Sequence, residues 1–182
     1  SPLLHADLLL PNKTELGKLA KALKGNLKGI PGLRVHNDQV AAVFDDMLQR
    51  SIPLYHEIIR RQAQLVAEFY IENTTIYDLG CSTGNVGLAI CEAMGSTPFR
   101  MIAVDNSAAM LAVYDERRRA LPAGDRITLV DNDVSRTAIE DAGIVIINFT
   151  LQFLSLADRD RLIDRVYRGL RPGGLLLFSE KI

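Results

Sequence analysis

The sequence is poor in the residues that build covalent or metal-held frameworks, with two cysteines and three histidines in 182 residues. Cys81 and Cys91 form neither a disulfide framework nor a spacing typical of metal ligands. His5, His36 and His56 are isolated from one another, and we see no metal cluster and no pair of nucleophile and base. These absences predict reduced thiols and no bound metal, and they leave the catalytic residues unknown.

Net charge is also scarce, because 21 Lys and Arg residues face 22 Asp and Glu residues, which gives a net charge of −1 at pH 7. The whole molecule therefore lacks the basic field that favours nucleic acid, so direct nucleic-acid binding is less expected without being excluded. No apolar run reaches the length of a membrane span, and no secretory signal is recognisable. We therefore expect a cytoplasmic protein without membrane contact.

Residues 1–36 are predicted to form an N-terminal extension. From Thr14 to Lys28, leucines recur every three or four residues among lysines, which indicates a basic amphipathic helix weakened by two glycines. This helix could touch RNA phosphates or an acidic surface. Such a run of charge is more often the solvated face of a packed helix, and both interpretations stay open.

Residues 37–182 alternate short apolar runs with helical patterns, and 48% of the whole sequence is hydrophobic, enough for one domain with a core. Strands joined by helices in this way predict an α/β fold with a doubly wound parallel sheet. Two helices, one capped by Asn37 and one with Pro53 in its first turn, are predicted to form a cap, residues 37–70, over the mouth of a pocket. The predicted strands are Thr75–Tyr77, Met101–Asp105, Arg126–Val130, Ile144–Phe149 and Leu175–Ser179.

The most informative stretch follows the first predicted strand and reads Asp78-Leu-Gly80-Cys81-Ser82-Thr-Gly84-Asn-Val-Gly. A strand, a turn of small residues and a helix start allow close backbone approach to a ligand and aim N–H groups at an anion. A dinucleotide fingerprint would have glycine where this chain has Ser82. The acid before the first glycine instead resembles the first motif of class I S-adenosylmethionine (SAM) dependent transferases. Plain packing of helix against strand remains an alternative.

Later strands end in candidate ligand contacts at the same edge of the sheet. Asp105 lies about twenty residues beyond the glycine turn, where a carboxylate can accept both hydroxyls of a ribose, although it could also cap the next helix. Met110 is expected in the core or beside an adenine. Asp133 could bind the adenine amino group while Val134 covers a ring face, or the loop could be merely solvated.

Two further residues are placed where a ligand would meet the cap and the centre of the sheet. Asn148 ends the most apolar strand, where open α/β sheets bind ligands. A buried asparagine satisfied by other protein groups is the alternative. Tyr55 lies at the start of the second cap helix, and the sequence does not decide between ligand contact and simple packing.

Longer blocks of the sequence resemble one family, the carboxy-S-adenosyl-L-methionine (carboxy-SAM) synthases of the class I methyltransferase superfamily. The resemblance runs from about Asn37 to Lys181, and its most specific blocks are Gln-Arg-Ser-Ile-Pro-Leu-Tyr at 49–55 and Asn-Phe-Thr-Leu-Gln-Phe-Leu at 148–154. That family converts SAM and prephenate into carboxy-SAM and phenylpyruvate for tRNA wobble-uridine modification. The resemblance implies a Rossmann-like fold, SAM, carboxy-SAM or S-adenosylhomocysteine as ligand and prephenate as substrate, and we expect a homodimer.

The resemblance also implies a set of SAM contacts, to which the motif pattern adds Asp78, Gly84 and Met110. The family holds the new carboxylate with an arginine downstream of the fifth strand, and class I folds add a helix and a strand pair there. We therefore expect the C-terminal part of the fold to be missing. Conventional methyl transfer to a small molecule or RNA, and a SAM-binding module without catalysis, stay as alternatives. The implied contacts are Tyr55, Gly80, Cys81, Ser82, Asp105, Asn106, Asp133, Val134 and Asn148.

Overall fold

The computed structural model describes residues 37–180, with side chains from Phe44 onward. The basic helix predicted at Thr14–Lys28 lies outside the described residues. Two helices, α1 (Asn37–Ser51) and α2 (Tyr55–Phe69), precede the first strand. The predicted pair of helices ahead of the sheet is thus present, although α1 already includes Asn37, the residue predicted to cap it.

Five strands follow, and helices separate them except at residues 132–141, which join the third strand to the fourth without a helix. Short 3-10 turns lie at Gly124–Arg126 and Leu151–Phe153. The strand bounds are close to those predicted, except that the last strand begins at Leu170 rather than Leu175. Its register against the preceding strand steps from the pair Ala142–Leu170 to the pair Ile144–Leu175, so residues 171–174 bulge within the strand. The elements are β1 (Thr75–Leu79), α3 (Asn85–Met94), β2 (Arg100–Asp105), α4 (Ala108–Arg119), β3 (Ile127–Asp131), β4 (Ala142–Asn148), α5 (Leu156–Gly169) and β5 (Leu170–Ser179).

The described sheet is parallel throughout and has the order β3-β2-β1-β4-β5. The chain runs outward from β1 to β3 and then returns to add β4 on the other side of β1. The loops after β1 and β4 therefore diverge, and in open α/β sheets such a switch point leaves a crevice at the carboxyl ends. The doubly wound α/β fold predicted from the sequence is confirmed.

The core forms two layers because the central strands are covered on both faces, as parallel strands usually are. Ile76 and Ile146 belong to one layer, which they share with buried residues of α2, α3 and α4. Tyr77 and Val145 belong to the other layer, where they join Leu162 of α5. All residues of β1 are buried, so the loop that follows it starts from a fixed position.

The start of α2 differs from the prediction. Pro53, predicted in the first turn, precedes the helix, and the apolar residues Leu54 and Leu65 are 76% and 37% exposed. Leu54 precedes the helix in a left-handed conformation, with φ of 59°. The helix therefore starts at Tyr55, and its other buried residues lie on the same face as Tyr55. The buried positions are Tyr55, Ile59, Gln62, Ala63 and Val66.

Gly84 in the turn and Gly87 in the following helix must be glycine because they pack directly against Tyr114. A Cβ atom on Gly84 would overlap the Tyr114 ring, and one on Gly87 would overlap its hydroxyl oxygen. Gly84 also has φ of +89°, which disfavours other residues. Gly84 and Gly87 therefore serve close packing against a helix, α4, rather than the packing of helix against strand given as the alternative, whatever the turn binds.

We expect Tyr114→Phe to stabilise the protein. Tyr114 is completely buried, and its hydroxyl has no hydrogen-bond partner among the described residues. A buried unpaired polar group costs about 1–3 kcal/mol, so the free energy of unfolding in urea should rise by about 1 kcal/mol. Gly87→Ala is the opposing control and should lower it. A loss of stability in Tyr114→Phe would show that the hydroxyl makes a bond after all.

Candidate functional site

One cavity opens at the carboxyl ends of β1, β2 and β4, below the two cap helices. The turn after β1, the residues after Asp105 and the segment from Asn148 to Thr150 form its sheet side. The cap closes the opposite side, so the prediction that the two helices cover the pocket is confirmed. The cap residues in the lining are Phe44, Met47, Leu48, Ser51, Ile52, Tyr55 and Ile59.

Most of the predicted site residues meet in this cavity, and four do not. Asn106 is exposed, Val134 packs in the core layer around α5, and Gly84 lies against Tyr114. Asp133 accepts a hydrogen bond from the Ser135 N–H (2.8 Å), which holds the loop after β3. Ligand contacts by these four residues stay predictions. The predicted residues in the lining are Tyr55, Asp78, Gly80, Cys81, Ser82, Asp105, Met110 and Asn148.

Asp78 is the more deeply buried of the two carboxyl groups in the cavity lining. Its side chain is 2% exposed, and its Oδ2 has no hydrogen-bond partner among the described residues. Burial, and secondly the negative charge of Asp105, raise the pKa of Asp78 to about 7. A positive charge placed in the cavity would favour the ionised form of this group.

Asp105 joins the turn after β1 to the start of α4. Its Oδ2 accepts a hydrogen bond from the Ser82 N–H (3.0 Å), and its Oδ1 accepts one from the Ser107 N–H (2.9 Å). The N-cap of α4 is Ser107, so Asp105 holds the segment before the helix rather than capping it. Each carboxylate oxygen keeps a further lone pair for a ligand hydroxyl, so ribose binding is compatible with this role and stays a prediction.

Asn148 is held by Gln62, a residue that the sequence analysis missed. The Asn148 Nδ2 donates to Gln62 Oε1 (2.7 Å), and Gln62 Nε2 donates to Asn148 Oδ1 (2.8 Å) and to Ser179 Oγ (3.2 Å). The amide of Asn148 is thus partly satisfied by protein and retains one donor and one acceptor position. A polar residue within the apolar face of α2 was the signal that could have revealed Gln62.

Tyr55 lies at the contact between the cap and the glycine turn. Its side chain is 8% exposed, and its hydroxyl accepts a hydrogen bond from Asn85 Nδ2 (3.1 Å). Burial raises the pKa of Tyr55 to about 12, so the phenol stays protonated at neutral pH. Burial likewise raises the pKa of the Cys81 thiol, which makes a thiolate nucleophile there unfavourable.

A polar network beside the cavity was also missed by the sequence analysis. Asp45 of α1 forms an ion pair with Arg117 of α4 (2.6 Å), and both side chains are largely buried. Arg117 belongs to a run of three arginines that resembles an ordinary charged helix end, so nothing in the local pattern singled it out. The other members of the network are Thr83 and Asn85, which line the cavity.

The charges of the lining suit a cationic ligand. Among the described residues that line the cavity, Asp78 and Asp105 are acidic and none is Lys, Arg or His.

Within residues 37–180 no group of three or more His, Cys, Asp or Glu side chains is arranged to hold a metal ion. In the same part of the chain, every helix is too short or too polar to cross a bilayer.

We expect Asp78 to make the protein less stable as the pH rises from about 4 to about 7. Because its pKa in the folded state lies above the ordinary value of 3.8, the unfolded chain releases this proton first, and stability falls across that range and then levels off. The measurement is urea unfolding of the wild type and Asp78→Asn at several pH values. The difference between them should grow with pH, by about 4 kcal/mol at most. Parallel profiles would show that Asp78 is already ionised in the folded protein.

Comparison with known proteins gives the geometry a context. Residues 76–174 match a family model described as a methyltransferase domain. The chain is 47% identical over 146 residues to the carboxy-S-adenosyl-L-methionine synthase of Desulforapulum autotrophicum, a match that covers 80% of this chain and 59% of that protein. It is 41% identical to the enzyme of the same name from Shewanella woodyi, over 80% and 60% of the two chains. The chain therefore spans about three fifths of the length of the curated relatives it matches.

Solved structures show the same architecture. A Methanococcus maripaludis protein described as a SAM-dependent methyltransferase has a TM-score of 0.62 at 22% identity, over 84% of this chain and 68% of its own. The glycopeptide N-methyltransferase MtfA in complex with SAM has a TM-score of 0.55 at 27% identity, over 65% and 53% of the two chains. The curated relatives confirm the resemblance to the carboxy-SAM synthases, and the solved structures confirm the fold.

Proposed function

We propose that this chain, which belongs to the methyltransferase domain family, binds SAM and converts it with prephenate into carboxy-SAM. One observation carries SAM binding: Asp78, Asp105 and Asn148 surround a single cavity at the switch point of the sheet. The carboxyl-transfer reaction is supported by the relatives at 41% and 47% identity that are named carboxy-SAM synthase.

The residues present fit SAM in charge and polarity. SAM carries a sulfonium and an ammonium group, and the cavity offers the orphan Oδ2 of Asp78 within a lining that holds acids and no described cation. The Ser82 hydroxyl oxygen is also buried without a partner among the described residues. Apolar side chains such as Phe44, Met47 and Met110 suit an adenine ring. Asp105, with a free lone pair on each oxygen, is the proposed ribose ligand.

The described residues contribute binding, orientation and exclusion of water. The sulfonium of bound SAM activates its own methyl group, which is the chemistry that a transferase of this class requires. The turn after β1 fixes one side of the cavity, and α1 and α2 cover it, so that a bound ligand is held in one orientation. Tyr55 and Cys81 remain protonated because burial raises their pKa values, so we assign neither a role as base or nucleophile.

Conventional methyl transfer is the second candidate, and the cavity supplies the observation that favours it. Transfer of a carboxyl group gives a product with one more negative charge, which a cationic side chain would normally bind. The described lining residues include no such side chain. A methyltransferase needs only an aligned acceptor, so the described part of the cavity suits that reaction equally well.

Mass spectrometry of the nucleoside that co-purifies with the protein tests these proposals. Carboxy-SAM supports the synthase, whereas SAM or S-adenosylhomocysteine supports SAM binding and leaves methyl transfer as the preferred reaction. Incubation of the protein with SAM and prephenate, followed by a search for carboxy-SAM and phenylpyruvate, then tests the reaction itself. Absence of any nucleoside, together with no binding of added SAM, would overturn the proposed function in favour of a protein without this ligand.

We expect Asp105→Ala to weaken binding of S-adenosylhomocysteine by about 1–3 kcal/mol, because a buried ribose would lose a charged hydrogen-bond acceptor. Isothermal titration calorimetry measures the affinity. Asp131→Ala is a matched control, because Asp131 pairs in register with Asp105 at the end of the neighbouring strand but is exposed and does not line the cavity. Equal affinities of Asp105→Ala and wild type would refute the ribose assignment.

The wider setting is proposed from the family resemblance alone. We propose a cytoplasmic homodimer whose product supplies tRNA wobble-uridine modification. The near-zero net charge supports a small-molecule substrate over direct binding of RNA by the whole surface. Sedimentation velocity tests the assembly, and a monomer at micromolar concentration would contradict the homodimer.

A further inference from the structure

The polar network beside the cavity connects the cap to the glycine turn and to α4. Asp45 Oδ1 accepts hydrogen bonds from Thr83 Oγ1 and from Asn85 Nδ2, both at 3.0 Å. Asp45 Oδ2 accepts one from Arg117 Nη2 at 2.6 Å. The other guanidinium nitrogen, Arg117 Nη1, donates to Asn85 Oδ1 at 3.1 Å and to the Thr83 carbonyl oxygen at 3.3 Å. Asn85 is thus held between a carboxylate and a guanidinium group.

This arrangement fixes which way the Asn85 amide faces. A guanidinium group can only donate and a carboxylate can only accept, so the amide oxygen must face Arg117 and the amide nitrogen must face Asp45. In the opposite orientation, the amide nitrogen would face the guanidinium donors and the amide oxygen would face the carboxylate oxygen. The second hydrogen of Asn85 Nδ2 then points to the Tyr55 hydroxyl, 3.1 Å away.

The orientation of the amide decides the role of Tyr55. Because Asn85 Nδ2 has no lone pair to offer, the Tyr55 oxygen accepts this bond and its own hydrogen must find another acceptor. Among the described residues the Tyr55 hydroxyl makes only the bond to Asn85, although the side chain is only 8% exposed and lines the cavity. With its pKa raised to about 12 by burial, Tyr55 keeps this hydrogen at neutral pH.

We propose that Asp45 and Arg117 are positioning residues that act through Asn85 to make the Tyr55 hydroxyl a hydrogen-bond donor to the ligand. The inference rests on the proposed function, since it takes the ligand to be SAM or a derivative. The acceptor on the ligand is a carboxylate. Asn85 opens α3, a helix of ten residues, so the free N–H groups of its first turn favour a negative group at the same place as the Tyr55 hydrogen.

Two adjacent acids on α1 provide a matched comparison. Asp46 pairs with Arg50 of the same helix at 2.9 Å, but these side chains are 56% and 72% exposed. Asp45 and Arg117 are 18% and 28% exposed and join two elements. Removal of the Asp46 charge therefore changes the helix surface. Removal of the Asp45 charge instead disturbs one of the two groups that orient the amide of Asn85 and leaves the charge of the other, Arg117, unpaired.

A double-mutant cycle between Asp45→Asn and Tyr55→Phe tests the proposal. Two ligands are titrated, S-adenosylhomocysteine and 5′-methylthioadenosine, which lacks the amino-acid end and its carboxylate. Tyr55→Phe should weaken S-adenosylhomocysteine binding by about tenfold and leave 5′-methylthioadenosine unchanged. Alone, Asp45→Asn should likewise weaken the binding of S-adenosylhomocysteine and leave that of 5′-methylthioadenosine unchanged. When it is added to Tyr55→Phe, the affinity should fall no further, because the two changes remove the same interaction.

The controls separate positioning from a general loss of structure. Asp46→Asn should change neither affinity. If Asp45→Asn does not fold, Arg117→Gln breaks the same network from α4 and should reproduce the selective loss. Equal losses for both ligands, or additive losses in the double variant, would overturn the inference while leaving SAM binding intact. Failure of the wild type to bind either ligand would instead overturn the proposed function, and this inference with it.

Discussion

The site depends on the attachment of the turn after β1 to the end of β2. The N–H groups of Gly80 and Cys81 both donate to the Val104 carbonyl oxygen, at 2.8 and 3.0 Å, and the Ser82 N–H donates to Asp105. Three successive residues are therefore bound to one neighbouring strand end, which allows Ser82 to keep a left-handed φ of 50°. Loss of these bonds would release the turn, the carboxylate of Asp105 and the start of α4 together.

This geometry places two carboxyl groups in a buried cavity without a described basic partner. This environment disfavours the ionised form of Asp78, whose pKa rises to about 7 because of burial and of the negative charge of Asp105. A well-packed apolar residue at that position would be more favourable for folding alone. Asp78 lines the cavity with one oxygen unpartnered among the described residues, and the proposed cationic ligand would supply the missing charge and relieve this penalty on binding.

The sequence revealed those parts of the molecule that local patterns encode. Continuous apolar runs predicted the strands, and the glycine turn marked the sheet edge where the cavity lies. Gln62 and Asn148 are 86 residues apart, and Asp45 and Arg117 are 72 apart, so their pairing depends on how helices pack and leaves no local signal. Asp133 was proposed from its position after a strand and from the family resemblance. Its strand, β3, lies at the edge of the described sheet, and a ligand contact by Asp133 stays a prediction.

The network around Asp45 bears on how a negatively charged group could be held in this cavity. Arg117 contacts the cavity-lining residues Thr83 and Asn85, but its charge is already paired with Asp45. In the described part of the chain, a ligand carboxylate near the start of α3 would therefore be bound by neutral donors, the Tyr55 hydroxyl and backbone N–H groups. Neutral donors give direction with less electrostatic attraction than an arginine. The ion pair thus determines the orientation of a donor, and the acids Asp78 and Asp105 determine the preferred charge of the ligand.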